Sequence, residues 1–99
     1  MIVEIAMITV RSGQEADFEA AFPGAIAVLA ASPGYVAHEL RRSIETPSRY
    51  LLRIEWQTLE DHTVRFRSSP RFAQWRALIA PFFDASPVVE HFRAVAGGA

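Results

Sequence analysis

The chain opens on Ile2-Val-Glu-Ile-Ala-Met-Ile-Thr-Val10, a β-branched run with little polar alternation. Such a run predicts a strand buried on both faces. Ser12-Gly-Gln-Glu15 follows with the spacing of a capping box, in which the serine accepts from a free helix amide and the glutamate reaches back. Phe18, Phe22, Ile26 and Leu29 then recur at helical spacing and form one apolar stripe. Pro23-Gly24 interrupts that stripe, and an interior proline costs about 3 kcal/mol in a regular helix. The helix is therefore expected either to kink there or to stop at Phe22 and restart with Pro23 in its first turn. Ser32-Pro-Gly34 ends it.

Tyr35 to Ile44 reads as a second strand and Arg49 to Trp56 as a third, joined by the polar turn Glu45-Thr-Pro-Ser48. The short connection favours an antiparallel hairpin. Alternation along the third strand places Tyr50, Leu52, Ile54 and Trp56 on one face, and Leu51, Arg53 and Glu55 on the other. Thr58-Leu-Glu-Asp61 caps a helix on which His62 and Phe66 share a side. Ser69-Pro70 opens another, with Phe72, Trp75, Ile79 and Phe82 as its apolar face and Arg76 one step round from Trp75. Pro81 and Pro87 bracket its exit, Val88 to Phe92 is a final strand, and residues 96–99 read as a frayed tail. The order βαββαβ, with its second helical segment in two pieces, predicts one α+β domain over residues 1–95. Its sheet should be four-stranded, antiparallel and ferredoxin-like. Helices can cover only one face of such a sheet. Strands one, three and four are apolar on both, so a homodimer burying the open face is expected.

Composition narrows the possibilities. Ninety-nine residues make one core and leave no room for a separate cofactor domain. An apolar content of 51% is too high for disorder. No apolar run approaches the roughly 18 residues of a membrane span, and no basic segment with a cleavage site precedes the first strand, so a cytoplasmic protein is expected. Zero cysteines exclude a disulfide framework and a thiolate metal site. A net charge of −1, with the two signs interspersed, argues against nucleic acid as a partner. All ten basic residues are arginine, which excludes a Schiff-base lysine. Arginine also suits a buried or pocket-lining cation, although nucleotide bias in an alanine-rich chain is the simpler reading. His38, His62 and His91 lie on different predicted elements without a spacing that links them. No metal site is expected, because ligands must converge within about 2.0–2.2 Å of the ion. No phosphate-cradling glycine loop or nucleophile elbow occurs.

Residues 50–92 carry the candidate chemistry. Trp56, Phe66, Phe72 and Trp75 bring rings, His62 an imidazole and Arg76 a guanidinium to elements that would pack around one interior. A mostly apolar surface with a few polar groups describes a small-molecule pocket. Plainer readings stand beside this one: Trp56, Phe66, Phe72 and Trp75 as core, His62 as solvated, Arg76 as paired with a surface carboxylate.

Glu55-Trp56, Leu59-Glu-Asp-His62, Ser69-Pro70 and Trp75-Arg76 together resemble the antibiotic biosynthesis monooxygenase family. The similarity runs through Phe92 and is strongest from Leu51 to Phe83. The resemblance implies a dimeric α+β barrel and a choice among several activities. The best known is oxygenation of aromatic polyketides without metal or flavin, and haem-degrading enzymes, quinol oxidases and signal-processing enzymes are also similar. By position it implies that Trp56 lines a cavity, that Arg76 lies near the substrate's phenolic oxygens, and that His62 stands where members carry histidine or tyrosine. Leu52 falls where one oxygenase type has asparagine and Arg41 near its histidine, which makes both candidate substrate contacts. The haem branch uses an asparagine on the first strand, with a tryptophan and a histidine on later helices. This chain has no asparagine, and the matching helical positions are Phe66 and Arg76, so that route is disfavoured. The resemblance thus points to a cofactor-independent monooxygenase, using O₂ on a phenol, quinol or enolisable ketone. His62 would accept a proton and Arg76 would stabilise an oxyanion. A non-catalytic dimeric module binding a hydrophobic metabolite is the alternative, and a haem-binding homologue a more distant one.

Overall fold

A computed structural model describes every residue from Met1 to Ala99. Strand β1 (Ile2–Thr9) leads into helix α1 (Glu15–Ala30), followed by β2 (Tyr35–Arg42) and β3 (Arg49–Trp56). A π-helical turn (Asp61–Phe66) then precedes α2 (Pro70–Ile79), which runs into a 3-10 turn (Ala80–Phe82) and ends at β4 (Val88–Arg93). The strands form one antiparallel sheet in the order β2-β3-β1-β4. This is the ferredoxin-like βαββαβ arrangement, and β1 lies at its centre flanked by β3 and β4.

Register decides which side chains meet. Glu4 sits opposite Ile54 on β3 and His91 on β4, while Ala6 sits opposite Leu52 and Val89. Directly opposed residues share a face, so these six project toward the helices. The same face carries Ile8, Tyr50 and Trp56, all fully buried. Helix α1 covers one end of it with Phe18, Phe22, Ala25, Ile26 and Leu29, the Phe18 ring lying 4.8 Å from that of Tyr50. The opposite face carries Val3, Ile5, Met7, Leu51, Val88 and Phe92, with nothing of this chain packed over it as the helices are on the other side.

Several local features resolve or depart from the sequence reading. Helix α1 is one element through Pro23, so of the two alternatives the stop at Phe22 with a restart does not occur. The proline removes a donor from the Glu19 carbonyl on an exposed side of the helix, where solvent can replace it. The five buried residues of the stripe, at about 1.5–3 kcal/mol each, outweigh a proline cost of about 3. The Ser12 capping box does not form. Gln14 is the N-cap without a side-chain bond, and Glu15 instead accepts the Gly13 amide at 2.9 Å, because Gly13 at φ +86° turns the chain before the helix starts. Strand β2 stops at Arg42, and Ile44, expected within it, is 92% exposed.

The helix expected after Thr58 is a π-helical turn, its Arg67 amide donating to the His62 carbonyl at 3.3 Å across five residues. Its entry is pinned as the sequence suggested. The Thr58 amide donates to Asp61 Oδ2 at 3.1 Å, and the Asp61 amide donates to Thr58 Oγ1 at 3.2 Å. Such wide turns are uncommon and occur often at functional sites.

Candidate active site

Between the helix-covered face of the sheet and the π turn, α2 and the segment before β4 lies a cavity of about 660 Å³. Ala6 and Ile8 of β1 and Leu52 of β3 form its floor, Phe66, Phe72, Trp75 and Ile79 its walls. Ala6 contributes to the room directly, since a larger side chain at the centre of the floor would fill it. Phe72 stands edge-on to Phe66, with ring centroids 5.6 Å apart at 84°. The volume suits a ligand of two or three fused rings, and the wall chemistry is largely apolar.

Four charged or ionisable groups break that surface: Glu4, His62, Arg67 and Arg76. Arg67 and Arg76 are exposed and form no ion pair with a carboxylate. The Arg76 guanidinium lies 5.9 Å from the centre of the Phe72 ring, a cation–π distance. Glu4 and His62 are deeply buried, at 5% and 3% exposure, and they belong to a connected cluster. The indole Nε1–H of Trp56 donates to Glu4 Oε1 at 2.9 Å. His62 Nε2 lies 3.3 Å from the same oxygen. On its other side His62 Nδ1 shares a hydrogen bond of 2.7 Å with His91 Nε2. The Trp56 and His62 rings stack at 5.3 Å and 20°.

Burial sets the protonation of the cluster. It raises the Glu4 pKa above the usual carboxylate value, opposed by the Trp56 hydrogen bond and then by the Arg67 charge. It drives His62 down to about 3, helped by Arg67 and His91. His91 is lowered too, first by burial and then by Arg67. At neutral pH His62 is therefore a neutral imidazole, and its approach to Glu4 is a carboxyl–imidazole contact rather than an ion pair.

Of the residues singled out from sequence, His62, Phe66, Phe72, Trp75, Arg76 and Leu52 all border the cavity. Trp56 does not. It is fully buried behind His62 and reaches the cavity only through the hydrogen bond to Glu4. Arg41 is separated from the site altogether. It pairs in register with Leu51, so it projects from the open face, and its Nε holds Glu39 Oε1 at 2.6 Å. His91 and His62, which no sequence spacing links, are hydrogen-bonded to each other, whereas His38 lies apart, against the Tyr35 hydroxyl at 2.6 Å. Glu4 is a site residue that the sequence patterns do not single out. The one signal for it is a lone acidic residue inside the apolar run of β1, at a position facing the core. No group of three or more His, Cys, Asp or Glu side chains is arranged to hold a metal ion.

The chain resembles known proteins over nearly all its length. An uncharacterised Bacillus subtilis protein, YczJ, is 42% identical over 95 residues, covering 96% of this chain and all of that one. A crystal structure from Bordetella bronchiseptica, described as a candidate antibiotic biosynthesis monooxygenase, is also 42% identical. It superposes with a TM-score of 0.92 over 96% of this chain and 97% of its own. SnoaB from Streptomyces nogalater, a cofactor-independent oxygenase, shares the fold at 23% identity, with a TM-score of 0.83 over 97% of this chain and 94% of its own. A family model for antibiotic biosynthesis monooxygenases matches residues 1–78, which span β1 through most of α2 and include the Glu4–Trp56–His62 contacts. With that match and those relatives, the chain belongs to the antibiotic biosynthesis monooxygenase family.

Proposed function

We propose that the protein is a cofactor-independent monooxygenase, acting as a cytoplasmic homodimer on a small aromatic phenol, quinol or enolisable polyketide-like ketone. The observation that carries this reading is a buried carboxyl–imidazole pair, Glu4 and His62, opening into a cavity otherwise walled by aromatic and aliphatic side chains. A substrate that loses a proton there becomes an electron-rich anion, able to pass one electron to O₂. Recombination forms the carbon–oxygen bond of a peroxide. Loss of water then leaves the carbonyl, so that two substrate hydrogens and one O₂ become one C=O and one H₂O. No further reductant enters this balance.

In this reading His62 belongs to the proton-accepting side of the cavity. Arg76, standing beside Phe72 at the mouth, stabilises the oxyanion as it develops. Leu52, Phe66, Phe72 and Trp75 exclude water and hold the ring system, and Trp56 acts from behind His62. The apolar open face of the sheet, with Val88 69% and Phe92 48% exposed, supports burial against a second copy.

The test is oxygen uptake by the purified, metal-free protein offered hydroquinones and anthrone-like phenols. Uptake is expected, and His62→Ala should reduce kcat far more than it raises KM. Equal losses in both would make His62 a binding residue. One observation favours a second reading, a non-catalytic module for a hydrophobic metabolite: both nitrogens of His62 already face partners within the protein. Measurable ligand binding with no oxygen consumed would establish that module.

A further inference from the structure

We propose that Glu4 is the catalytic base of this site and that His62 and His91 form the path by which the proton leaves it. This deepens the monooxygenase reading and rests on it for the identity of the substrate, although the proton transfer itself can be measured without turnover.

The partners of each atom lead to the assignment. His62 has no nitrogen left for a ligand, since Nδ1 is engaged with His91 Nε2 at 2.7 Å and Nε2 faces Glu4 Oε1 at 3.3 Å. Glu4 is different. Its Oε1 receives the Trp56 indole at 2.9 Å, whereas its Oε2 makes no hydrogen bond to the protein and is not among the enclosed orphan atoms. Glu4 borders the cavity, so this free oxygen is the one open to a bound molecule. A carboxylate buried to 5% exposure, held by an indole on one oxygen and unpartnered on the other, is a base aimed at a ligand.

The route outward follows the same bonds. The substrate X–H bond breaks and a Glu4 O–H bond forms, leaving the electron pair on the substrate. A half-turn of the carboxyl group exchanges its two oxygens, so that the protonated one faces His62. Glu4 then passes its proton to His62 Nε2 while His62 gives its Nδ1 proton to His91 Nε2. His91 releases its own Nδ1 proton to water, and half-turns of the two rings restore their starting tautomers. His91 is on the edge strand β4 and only half-buried, so it can complete that last step. In this concerted exchange His62 never carries two protons, which suits an imidazole that burial keeps neutral. The charged groups around the relay are the Arg67 guanidinium, which lowers the proton affinity of Glu4, His62 and His91 alike, and Arg76 across the cavity. The Arg67 charge favours a proton that departs over one that stays. Trp56 positions Glu4 and touches no substrate in this scheme.

The test uses a nitrophenol, whose absorbance reports whether it is bound as phenol or phenolate. The wild-type protein should bind it as phenolate at a pH where the free compound is mostly neutral. Glu4→Gln should bind it with similar affinity but un-ionised, and should lower kcat by about 10²–10⁴-fold where turnover is seen. His91→Phe should ionise the bound phenol normally, lower kcat at unchanged KM, and recover with added imidazole. Nitrogen NMR of the histidines in the ligand-free wild type should show His62 staying neutral from pH 8 to about pH 5 while hydrogen-bonded to His91, which guards against a Glu4→Gln protein that does not fold.

Phenolate bound equally by Glu4→Gln would overturn the proposal. So would a wild type that binds no phenol, or binds it un-ionised, and so would a His62 that titrates like a solvated imidazole. Ionisation that depends on Glu4, in a protein that consumes no oxygen with any substrate, would instead sink the monooxygenase reading and leave the base in place.

Discussion

Gly34→Ala should be among the most damaging single-methyl changes in this chain, and its cost can be worked out. Gly34 turns the chain from α1 into β2 at φ +85°, and its carbonyl accepts the Gln57 amide at 2.8 Å. An L-residue in that conformation costs about 1–2 kcal/mol. The added Cβ would also overlap the Asp61 carboxyl group, with even the Asp61 Cβ only 2.6 Å away. Asp61 is buried and receives the Thr58 amide, so withdrawing it forfeits a bond worth about 1–3 kcal/mol. The sum is about 2–5 kcal/mol. For a domain of this size that lowers Tm by at least about 8 °C. Urea denaturation should show a lower midpoint with an unchanged m-value. Because Asp61 starts the turn that carries His62, phenol ionisation in the cavity should weaken as well. The decisive comparison is the same change in an Asp61→Gly background, where the three atoms in the way are gone and only the backbone cost remains. A loss below about 1 kcal/mol in the wild-type background, or no relief in the Asp61→Gly one, would refute the reasoning.

Trp56→Phe keeps a ring against His62 but removes the donor to Glu4 Oε1, and should cost at least about 1 kcal/mol in equilibrium unfolding at neutral pH. The stability of the wild type should fall as pH drops from about 6.5 toward 3. The unfolded imidazole takes up a proton near 6.5 and the folded His62 only at about 3, giving a slope of at most about 1.4 kcal/mol per pH unit. Glu4 acts in the opposite sense: its folded carboxyl keeps a proton that the unfolded chain releases above 4.5, so its share of stability declines as pH rises. Unfolding free energies measured across this range should flatten on the acid side in His62→Phe, and an unaltered acid limb would assign the slope to other groups. Arg41→Ala should leave phenol affinity unchanged, because the side chain projects from the open face away from the cavity and is paired only with Glu39. A clear loss of affinity by titration would return Arg41 to the site.

The parts of the fold that could be read in advance depend on neighbours in sequence. Strand β3 keeps its expected limits, Arg49 to Trp56, because alternation and a polar turn mark them. Helix α2 starts at Pro70 as Ser69-Pro70 implied, since proline at the first position gives up only an amide that has no partner. What local patterns left open or missed was decided by distant contacts. Continuity of α1 through Pro23 depends on Phe22, Ala25 and Ile26 being buried against the sheet and α2, which no local rule weighs against proline. The π turn is set where Asp61 tucks under Gly34, a residue 27 positions earlier in the chain.

The same distinction separates the two halves of the site. The rings and Arg76 follow from helical and strand periodicity, and all but Trp56 reach the cavity wall. Glu4 and His91 become neighbours only because β4 pairs with β1 in one register, with Glu4 opposite His91. Side chains alternate along a strand, so a slip of one residue would turn Glu4 out to the open face and bring Val3 and Ile5 toward the cavity. Hydrophobic content barely distinguishes the two registers, because β1 is apolar on both sides. The polar cluster does distinguish them. In the observed register Glu4 meets the Trp56 indole and the His62 imidazole, whereas in the slipped one both are left buried without their partner at a cost of about 1–3 kcal/mol each. The carboxylate that the chemistry calls for is therefore also what holds the central strand in the one register that builds the site.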